Sequence, residues 1–274
     1  MKFAIINDIH FGTTGGDYKG VQRKLISKSH QLVEQFIRKM NEVEKPSFVV
    51  NLGDTIEDVN DREKDIVELH NAIKILTGLK MPIYHLIGNH DVKTISEEDI
   101  AKILGYKKTY YSFDSGDYHF VALSFERDMD EHSPTYRIFF MPREQLKWLK
   151  SDLLKTDKQT VVFGHHGLAD DDMKGNFWFE DQPEQAVLGN NGEVRKILED
   201  SGKVKAVFTA HQHWNRMFVH NGIPYFTVTS LVENFNNDGV ASEAHTIVDL
   251  TDRKIVVNVQ GKDPANYEFE FASS

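Results

Sequence analysis

Five short apolar runs of strand-like length and β-branched content punctuate the first 215 residues, and each gives way at once to polar residues. They are "FAII" ahead of Asn7-Asp8-Ile9-His10, "SFVVNL" ahead of Gly53-Asp54, "IYHLI" ahead of Gly88-Asn89-His90, "TVVF" ahead of Gly164-His165-His166, and "AVFT" ahead of Ala210-His211-Gln212-His213. Between them, apolar residues recur at three- and four-residue spacing: Leu25, Leu32, Val33, Phe36, Ile37 and Met40, then Ile66, Leu69, Ile73 and Leu76. "MPREQLKWLKSDLL", with Pro142 suited to a first helical turn, and the stretch around Val194, Ile197 and Leu198 read as two more helices. Strand and helix therefore alternate up to His213. Beyond it "RMFVH", "IPYFTVTS", "HTIVDL" and "KIVVNVQ" are strand-like, with Asn221-Gly222 as a hairpin turn signal, and the interval from Lys108 to Phe125 reads as two further strands. The pattern predicts a mixed α/β fold with two sheets, because the carboxy-terminal strands arrive by hairpins rather than helical crossovers.

Composition narrows the chemistry. A chain of 274 residues, 40% hydrophobic and 27% charged, is expected to fold as one large domain. The formal net charge of −10 disfavours broad adhesion to nucleic acid or anionic membranes. With no cysteine, any metal must be held by imidazole, carboxylate or amide groups. The start "MKFAIINDIHFG" lacks the apolar region and cleavage site of a signal peptide, and no run approaches the ~20 apolar residues of a membrane span. The expectation is a soluble, cytoplasmic protein with no membrane association; oligomeric state, a homo-oligomer included, stays open.

The five polar clusters fall where open α/β sheets collect ligands, outside the carboxyl ends of strands. Asp8 and His10 are two apart, as are His211 and His213, so in extended chain each pair can turn to one point. Asp54, Asn89 and His165 add one group each. Singly, each has an ordinary structural reading, such as a turn former or a satisfied histidine. Together the two carboxylates, four imidazoles and one amide suffice for two metal ions if one carboxylate bridges them.

In combination these motifs resemble the calcineurin-like metallophosphoesterases, whose pattern is D-x-H, G-D, G-N-H-[DE], a histidine after a strand, and G-H-x-H. The counterparts here are "DIH" at 8–10, "GD" at 53–54, "GNHD" at 88–91, "GHH" at 164–166 and "AHQH" at 210–213, with Ala210 in place of the usual glycine. The resemblance implies a four-layer α-β-β-α sandwich of two mixed β-sheets flanked by helices. It implies a single metallophosphoesterase domain over 1–274, the ligands lying within about 1–215 and strands of 216–271 completing the second sheet. It further implies that Asp8, His10, Asp54 and His213 hold one metal and Asp54, Asn89, His165 and His211 the other, with Asp54 as bridge and His165 preferred over His166. The cofactors would be two divalent or mixed-valence transition metal ions, Mn, Fe, Zn or Co.

On this assignment two divalent ions, less Asp8, Asp54 and a bridging hydroxide, leave the centre about one unit positive, a charge that suits an anionic phosphate and that a third carboxylate at position 89 would cancel. By the resemblance, that hydroxide attacks phosphorus and His90 reaches the phosphoryl group as a catalytic residue. Asp91 reads as a turn residue or cap. Glu57 reads either as an orienting partner of His90 or as an exposed acid at a helix start.

Substrate contacts are expected from two long irregular intervals, "ERDMDEHSPTYRIFF" and "GLADDDMKGNFWFEDQPEQAVLGNNG". Phe177 and Trp178 are candidates to stack a base, with loop anchoring as the alternative; Trp214 follows the last ligand, and Arg127, His132 and Arg137 are candidates for a second phosphate. The expected activity is hydrolysis of phosphodiesters, with phosphomonoesters as a close variant, on a small nucleotide-like or glycerol-like phosphate. A metal-dependent nuclease and a non-enzymatic interaction module on the same fold are the alternatives; the acidic balance disfavours the first and the complete ligand set the second.

Overall fold

The computed structural model describes residues 1–272, which divide into two compact units: Met1–Thr109 together with the stretch from Thr229, and Tyr110–Val228. In chain order the strands are β1 (Lys2–Ile6), β2 (Asp17–Tyr18), β3 (Val21–Gln22), β4 (Val49–Asn51), β5 (Ile83–His85), β6 (Tyr111–Ser115), β7 (Tyr118–Ala122), β8 (Glu126–Arg127) and β9 (Phe139–Phe140). They continue with β10 (Gln159–Phe163), β11 (Val204–Thr209), β12 (Arg216–His220), β13 (Ile223–Thr227), β14 (His245–Leu250), β15 (Lys254–Gln260) and β16 (Ala265–Glu270). The helices are α1 (Ser29–Lys39), α2 (Arg62–Leu76), α3 (Glu97–Leu104), α4 (Arg143–Lys155) and α5 (Asn191–Asp200). Both large sheets are mixed, as the alternation of strand and helix followed by hairpins predicts.

In the first unit the order is β16-β15-β14-β1-β4-β5. β1, β4 and β5 are parallel, with Ala4 opposite Val49 and Val49 opposite Ile83, so their carboxyl ends share one edge. β1 and β4 are buried on both faces, hence their unbroken apolar spelling, whereas β15 alternates buried and half-buried positions along one covered face. The expectation that the carboxy-terminal strands complete the second sheet holds only for β12 and β13. The later three strands extend the first sheet instead, β14 pairing antiparallel with β1 at Lys2–Asp249. The physical reason is edge availability: the hairpin at Asn221-Gly222 folds β12 along the open side of β13, while β1 still presents an unpaired edge.

In the second unit the order is β12-β13-β11-β10-β7-β6, with four parallel inner strands and antiparallel edges. One aromatic row crosses it: Phe113, Phe120, Phe163, Phe208 and Phe226 stand at successive centroid separations of 5.2, 6.0, 5.9 and 5.0 Å. Such same-face neighbours on adjoining strands stabilise the pairing that carries the loops above them.

Helix ends follow their capping residues. Asp61 accepts from the Lys64 N–H at the start of α2, with Glu63 and Asp65 in the first turn. The short α3, which the apolar spacing does not reveal, is bounded by Ser96, accepting from the Asp99 N–H, and by Gly105 in left-handed conformation at φ 72°. Pro142 caps α4 in extended conformation rather than entering its first turn. Among the described residues no helix is long and apolar enough to cross a membrane.

Candidate metal centre

At the carboxyl edge of β1, β4 and β5 the strands stop but their pairing does not. The N–H groups of Asp8, His10 and Phe11 donate to the carbonyls of Gly53, Asp54 and Thr55 at 3.0, 3.0 and 2.8 Å. Asp8, His10 and Asp54 sit in left-handed backbone, with φ of 44°, 45° and 48°. A non-glycine residue there costs about 1–3 kcal/mol and persists only where surroundings over-determine it. Each turn throws its side chain out of the strand alternation. Two glycines permit the approach. A Cβ on Gly53 would lie 2.6 Å from the Gly88 nitrogen, and one on Gly88 would lie 2.1 Å from Asp54 Oδ1. The glycines of the two motifs are thus demanded by backbone contact between the ends of β4 and β5.

The donors are buried and oriented. Asp8 Oδ2 accepts from Asn7 Nδ2 at 2.5 Å, and Asn7 also donates to the Thr229 carbonyl. Asp54 Oδ1 accepts from the His90 N–H at 2.9 Å, and Asp54 Oδ2 lies 3.9 Å from His10 Nε2. His10 Nδ1 lies 2.8 Å from Glu57 Oε2, so Nε2 is the nitrogen that could take a metal. Burial, then the Lys24 charge, lowers the His10 pKa to about 4, outweighing its bond to Glu57, so the imidazole is held in the neutral form that binds metals. His10, Glu57 and His90 bring donor atoms within 4.8 Å of one another. Asn89 stands half-buried in the turn after β5. Asp91 takes the plain role expected of it, accepting from the Gly88 and Ile56 N–H groups at 2.8 and 3.1 Å and so bracing that turn.

Two acidic residues act where the sequence left one ambiguous and the other unmarked. Glu57 is buried, five residues ahead of α2, and is not an exposed helix-start acid. Burial opposes its ionisation, but bonds from His10 and Lys24 outweigh that and hold it a carboxylate. The partner that orients His90 is the next residue: Asp58 Oδ1 lies 2.7 Å from His90 Nδ1, against 3.6 Å for Glu57 Oε2. No spacing rule singles out Asp58, because it meets His90 through tertiary contact.

The second unit presents its histidines in the same manner. Gly164 and His165 follow β10, whose ladder to β11 continues through Gly164 N–H to the Phe208 carbonyl and Ala210 N–H to the His165 carbonyl. His211 and His213 follow β11 at φ 66° and 54°. The Gln212 N–H donates back to the Ala210 carbonyl at 2.6 Å, closing a γ-turn centred on His211. Position 210 is not in left-handed backbone, which is why alanine serves there. His211 Nε2 bonds the Gln185 carbonyl at 3.0 Å and leaves Nδ1 to coordinate. His165 and His211 have ring centroids 5.1 Å apart. His166 instead packs among aromatic rings, 4.2 Å from Phe125 and 4.0 Å from Phe139.

The aromatic loop is tied to this histidine pair. Asn176 donates to the Gln212 carbonyl and accepts from the N–H groups of Trp178 and Phe179. Trp178 then lies 5.3 Å from the His213 ring, Phe179 4.7 Å from His211, and Phe177 edge-on to Trp178. Trp214 bonds Gln212 Oε1 and is covered by Arg216. Arg127 lies over Phe139, which in turn packs on His166, and its Nε donates to the Arg137 carbonyl. His132 sits in an exposed turn, its backbone N–H on Asp130, and Arg137 stacks on Tyr136.

The donor set fits divalent transition ions. It consists of buried imidazole nitrogens and carboxylate oxygens, and in the first unit Asp8, Asp54 and Glu57 exceed the one lysine placed among them. Buried negative charge of that kind calls for a cation. The class so defined is the metal-dependent phosphoric ester hydrolases. The family model described as calcineurin-like phosphoesterase matches residues 1–215, and the chain belongs to that family. Membership implies two divalent metal ions. Among curated proteins the chain is similar to the manganese-dependent ADP-ribose/CDP-alcohol diphosphatase of Arabidopsis thaliana, 21% identical over 279 residues covering 85% of this chain and 86% of that one. Among solved structures it resembles a dimetal phosphatase from Danio rerio, with a TM-score of 0.81, 17% identity and 99% coverage of both chains. It also resembles the phosphopantetheinyl hydrolase of Mycobacterium tuberculosis, with a TM-score of 0.52, 12% identity and coverage of 84% and 89%.

Proposed function

We propose that the whole chain, 1–274, works as one catalytic domain that hydrolyses the phosphoric anhydride or diester linkage of small nucleotide-like substrates, with manganese as the working metal. Asp8, His10, Asp54 and His213 hold one ion, and Asp54, Asn89, His165 and His211 the other. The observation that carries this is the left-handed backbone at Asp8, His10, Asp54, His211 and His213, five of the 13 non-glycine residues of positive φ among the described residues. Strain concentrated on the metal-binding residues of one family pattern is strain retained for a site. The substrate class is supported by the diphosphatase relative and by the half-buried aromatic rings beside His211 and His213, which offer stacking faces for a base.

When bound, two divalent ions supply Lewis acidity and lower the pKa of water from ~15.7 toward ~7. The chain's own residues do the rest. Asp58 accepts from His90 Nδ1 and fixes the ring, so that Nε2 is turned to the substrate; carrying a second proton, the ring would stabilise the phosphoryl charge and pass the Nε2 proton to the leaving oxygen, returning to the neutral imidazole. Phe177, Trp178 and Trp214 hold the base, and Arg127, Arg137 and His132 approach the second phosphate.

A substrate panel on manganese-reconstituted protein tests the reading: ADP-ribose, CDP-glycerol, bis-p-nitrophenyl phosphate, p-nitrophenyl phosphate and single-stranded DNA. Cleavage of the two nucleotide diphosphates to nucleoside monophosphates, well ahead of the monoester and DNA, is expected. Preferential cleavage of DNA, or no turnover with any of them, would overturn it.

A further inference from the structure

Each of the two carboxylates that orient a histidine in the first unit carries its own lysine. Glu57 Oε2, 2.8 Å from His10 Nδ1, lies 2.6 Å from Lys24 Nζ. Asp58, which receives His90 Nδ1–H, has its other oxygen 2.8 Å from Lys93 Nζ. Lys24 is only 4% exposed, a rare state for a lysine and one that demands a partner. Nor is it a swinging surface arm. Its backbone bridges to Glu233, its N–H donates to the Gly16 carbonyl, and the next N–H, of Leu25, donates to Val232 at 2.9 Å. The neighbouring Arg23 is bound to Glu233 and to the Phe235 carbonyl.

Stability alone does not explain such a pair, since the desolvation of two buried ions offsets most of their attraction. Charge does. The centre's formal surplus of about one positive unit counts only Asp8, Asp54 and hydroxide as anions. Glu57, in contact with His10, would cancel that surplus, and Asp58 would reverse it. Lys24 Nζ also lies 3.4 Å from His90 Nε2, the nitrogen assigned to the phosphoryl group.

We propose that Lys24 is the counterion that cancels Glu57, letting that carboxylate orient His10 while the centre keeps the net positive charge an anionic substrate requires; Lys93 does the same for Asp58. This rests on the dimetal reading above. It gives Lys24 a role in specificity that acts through charge, and the sign of its effects separates it from a merely structural role. Without the ammonium, the uncompensated Glu57 favours cations and repels anions. Metal affinity is therefore maintained or raised while phosphate affinity falls. A lysine that only propped up the loop would, on removal, displace Glu57 and His10 and weaken both.

The test uses the full chain as Lys24→Met, similar in length and uncharged, with manganese alone and inorganic phosphate as probes. Manganese affinity is read by calorimetry against a competing chelator, and phosphate affinity by calorimetry on the manganese-loaded protein. Expected is a loss of about tenfold in phosphate affinity, the scale of one nearby charge at an intermediate dielectric, with manganese bound at least as tightly as in the wild type. Lys24→Met/Glu57→Gln, which removes both charges, restores phosphate affinity to within about twofold, and Lys24→Arg, which keeps the charge, preserves it. Unchanged phosphate affinity in Lys24→Met overturns the proposal. So does joint weakening of manganese and phosphate that the double variant fails to repair. A wild type that binds no pair of manganese ions removes the dimetal reading and this proposal together, whereas any of the variant results against a two-metal wild type removes this proposal alone.

Discussion

Replacing Gly88 by alanine adds one methyl group at the tightest point beneath the candidate centre. The new Cβ would lie 2.1 Å from Asp54 Oδ1, 2.2 Å from its backbone nitrogen and 2.7 Å from its Cγ, where ordinary contact begins at 3.4 Å. Relief therefore needs a displacement of about 1 Å or more, and the carboxylate cannot simply rotate away, because the backbone nitrogen is equally close. Asp54 is held from above as well, by the His90 N–H at 2.9 Å. The backbone just past β4 has no slack either, since even a Cβ on Gly53 would lie 2.6 Å from the Gly88 nitrogen. Overpacking of this kind costs about 1–3 kcal/mol in stability. A misplacement near 1 Å in a reacting constellation costs about 10²-fold in rate. Because Asp54 is assigned to both metals, both affinities should fall with turnover. The assay is metal content after dialysis, kcat on the preferred substrate and a denaturant melt, beside Gly164→Ala as control, where a Cβ meets nothing nearer than 3.8 Å. Two retained metals and a kcat within about threefold of wild type in Gly88→Ala would refute the reasoning.

Four further expectations concern charge and protonation. Asn89→Asp adds a carboxylate to a centre about one unit positive; metal affinity should hold or rise while kcat falls and the pH optimum moves upward, and an unchanged pH–rate profile would show that charge balance is not the reason for the amide. His90→Ala should keep both metals yet lose about 10²–10⁴-fold in kcat, with Asp58→Asn showing part of that loss; wild-type turnover in either, measured at saturating substrate, would remove the pair from the mechanism. Burial lowers the His85 pKa to about 4, so between pH ~6.5 and 4 the unfolded chain binds a proton that the folded one refuses, and stability falls by up to ~3 kcal/mol as pH drops through that window. His119, bonded to Asp152 and Asp114, has a raised pKa and the opposite sign, its contribution being complete below pH ~6.5 and lost as pH rises through the folded value. Denaturant melts at stepped pH should show a flatter acid slope in His85→Gln and a deficit in His119→Asn that shrinks toward alkaline pH.

The candidate donors were legible because each follows an apolar run that reads as a buried strand, so a polar residue just past it has few structural reasons to be there. Asp8, His10, Asp54, His165, His211 and His213 share that placement, and the parallel pairing of β1, β4 and β5 in the first unit and of β10 and β11 in the second turns it into a common strand edge within each unit. Lys24, Glu57 and Asp58 share none of it. They meet His10 and His90 from two loops without periodicity, and only the folded backbone brings them within bonding distance. The split of the carboxy-terminal strands was hidden for a similar reason: a hairpin pattern states that strands pair, and is silent on which sheet edge is vacant. Short α3 escaped because eight residues give too few apolar repeats to reveal a period. The segment "NFWFE" was visible as an aromatic cluster, but its direction is set by Asn176, whose side chain bonds the backbone between the two histidines.

Manganese stoichiometry and spin coupling in the wild type and in Asp54→Ala test the dimetal assignment most directly. Metal-depleted protein is titrated with manganese, and bound ion is counted by dialysis while electron paramagnetic resonance reports whether two ions share a bridging ligand. Two manganese ions per chain with an exchange-coupled spectrum are expected for the wild type, and loss of affinity at both sites together for Asp54→Ala. A wild type that binds a single uncoupled ion, or an Asp54→Ala protein that still holds a coupled pair, would contradict it.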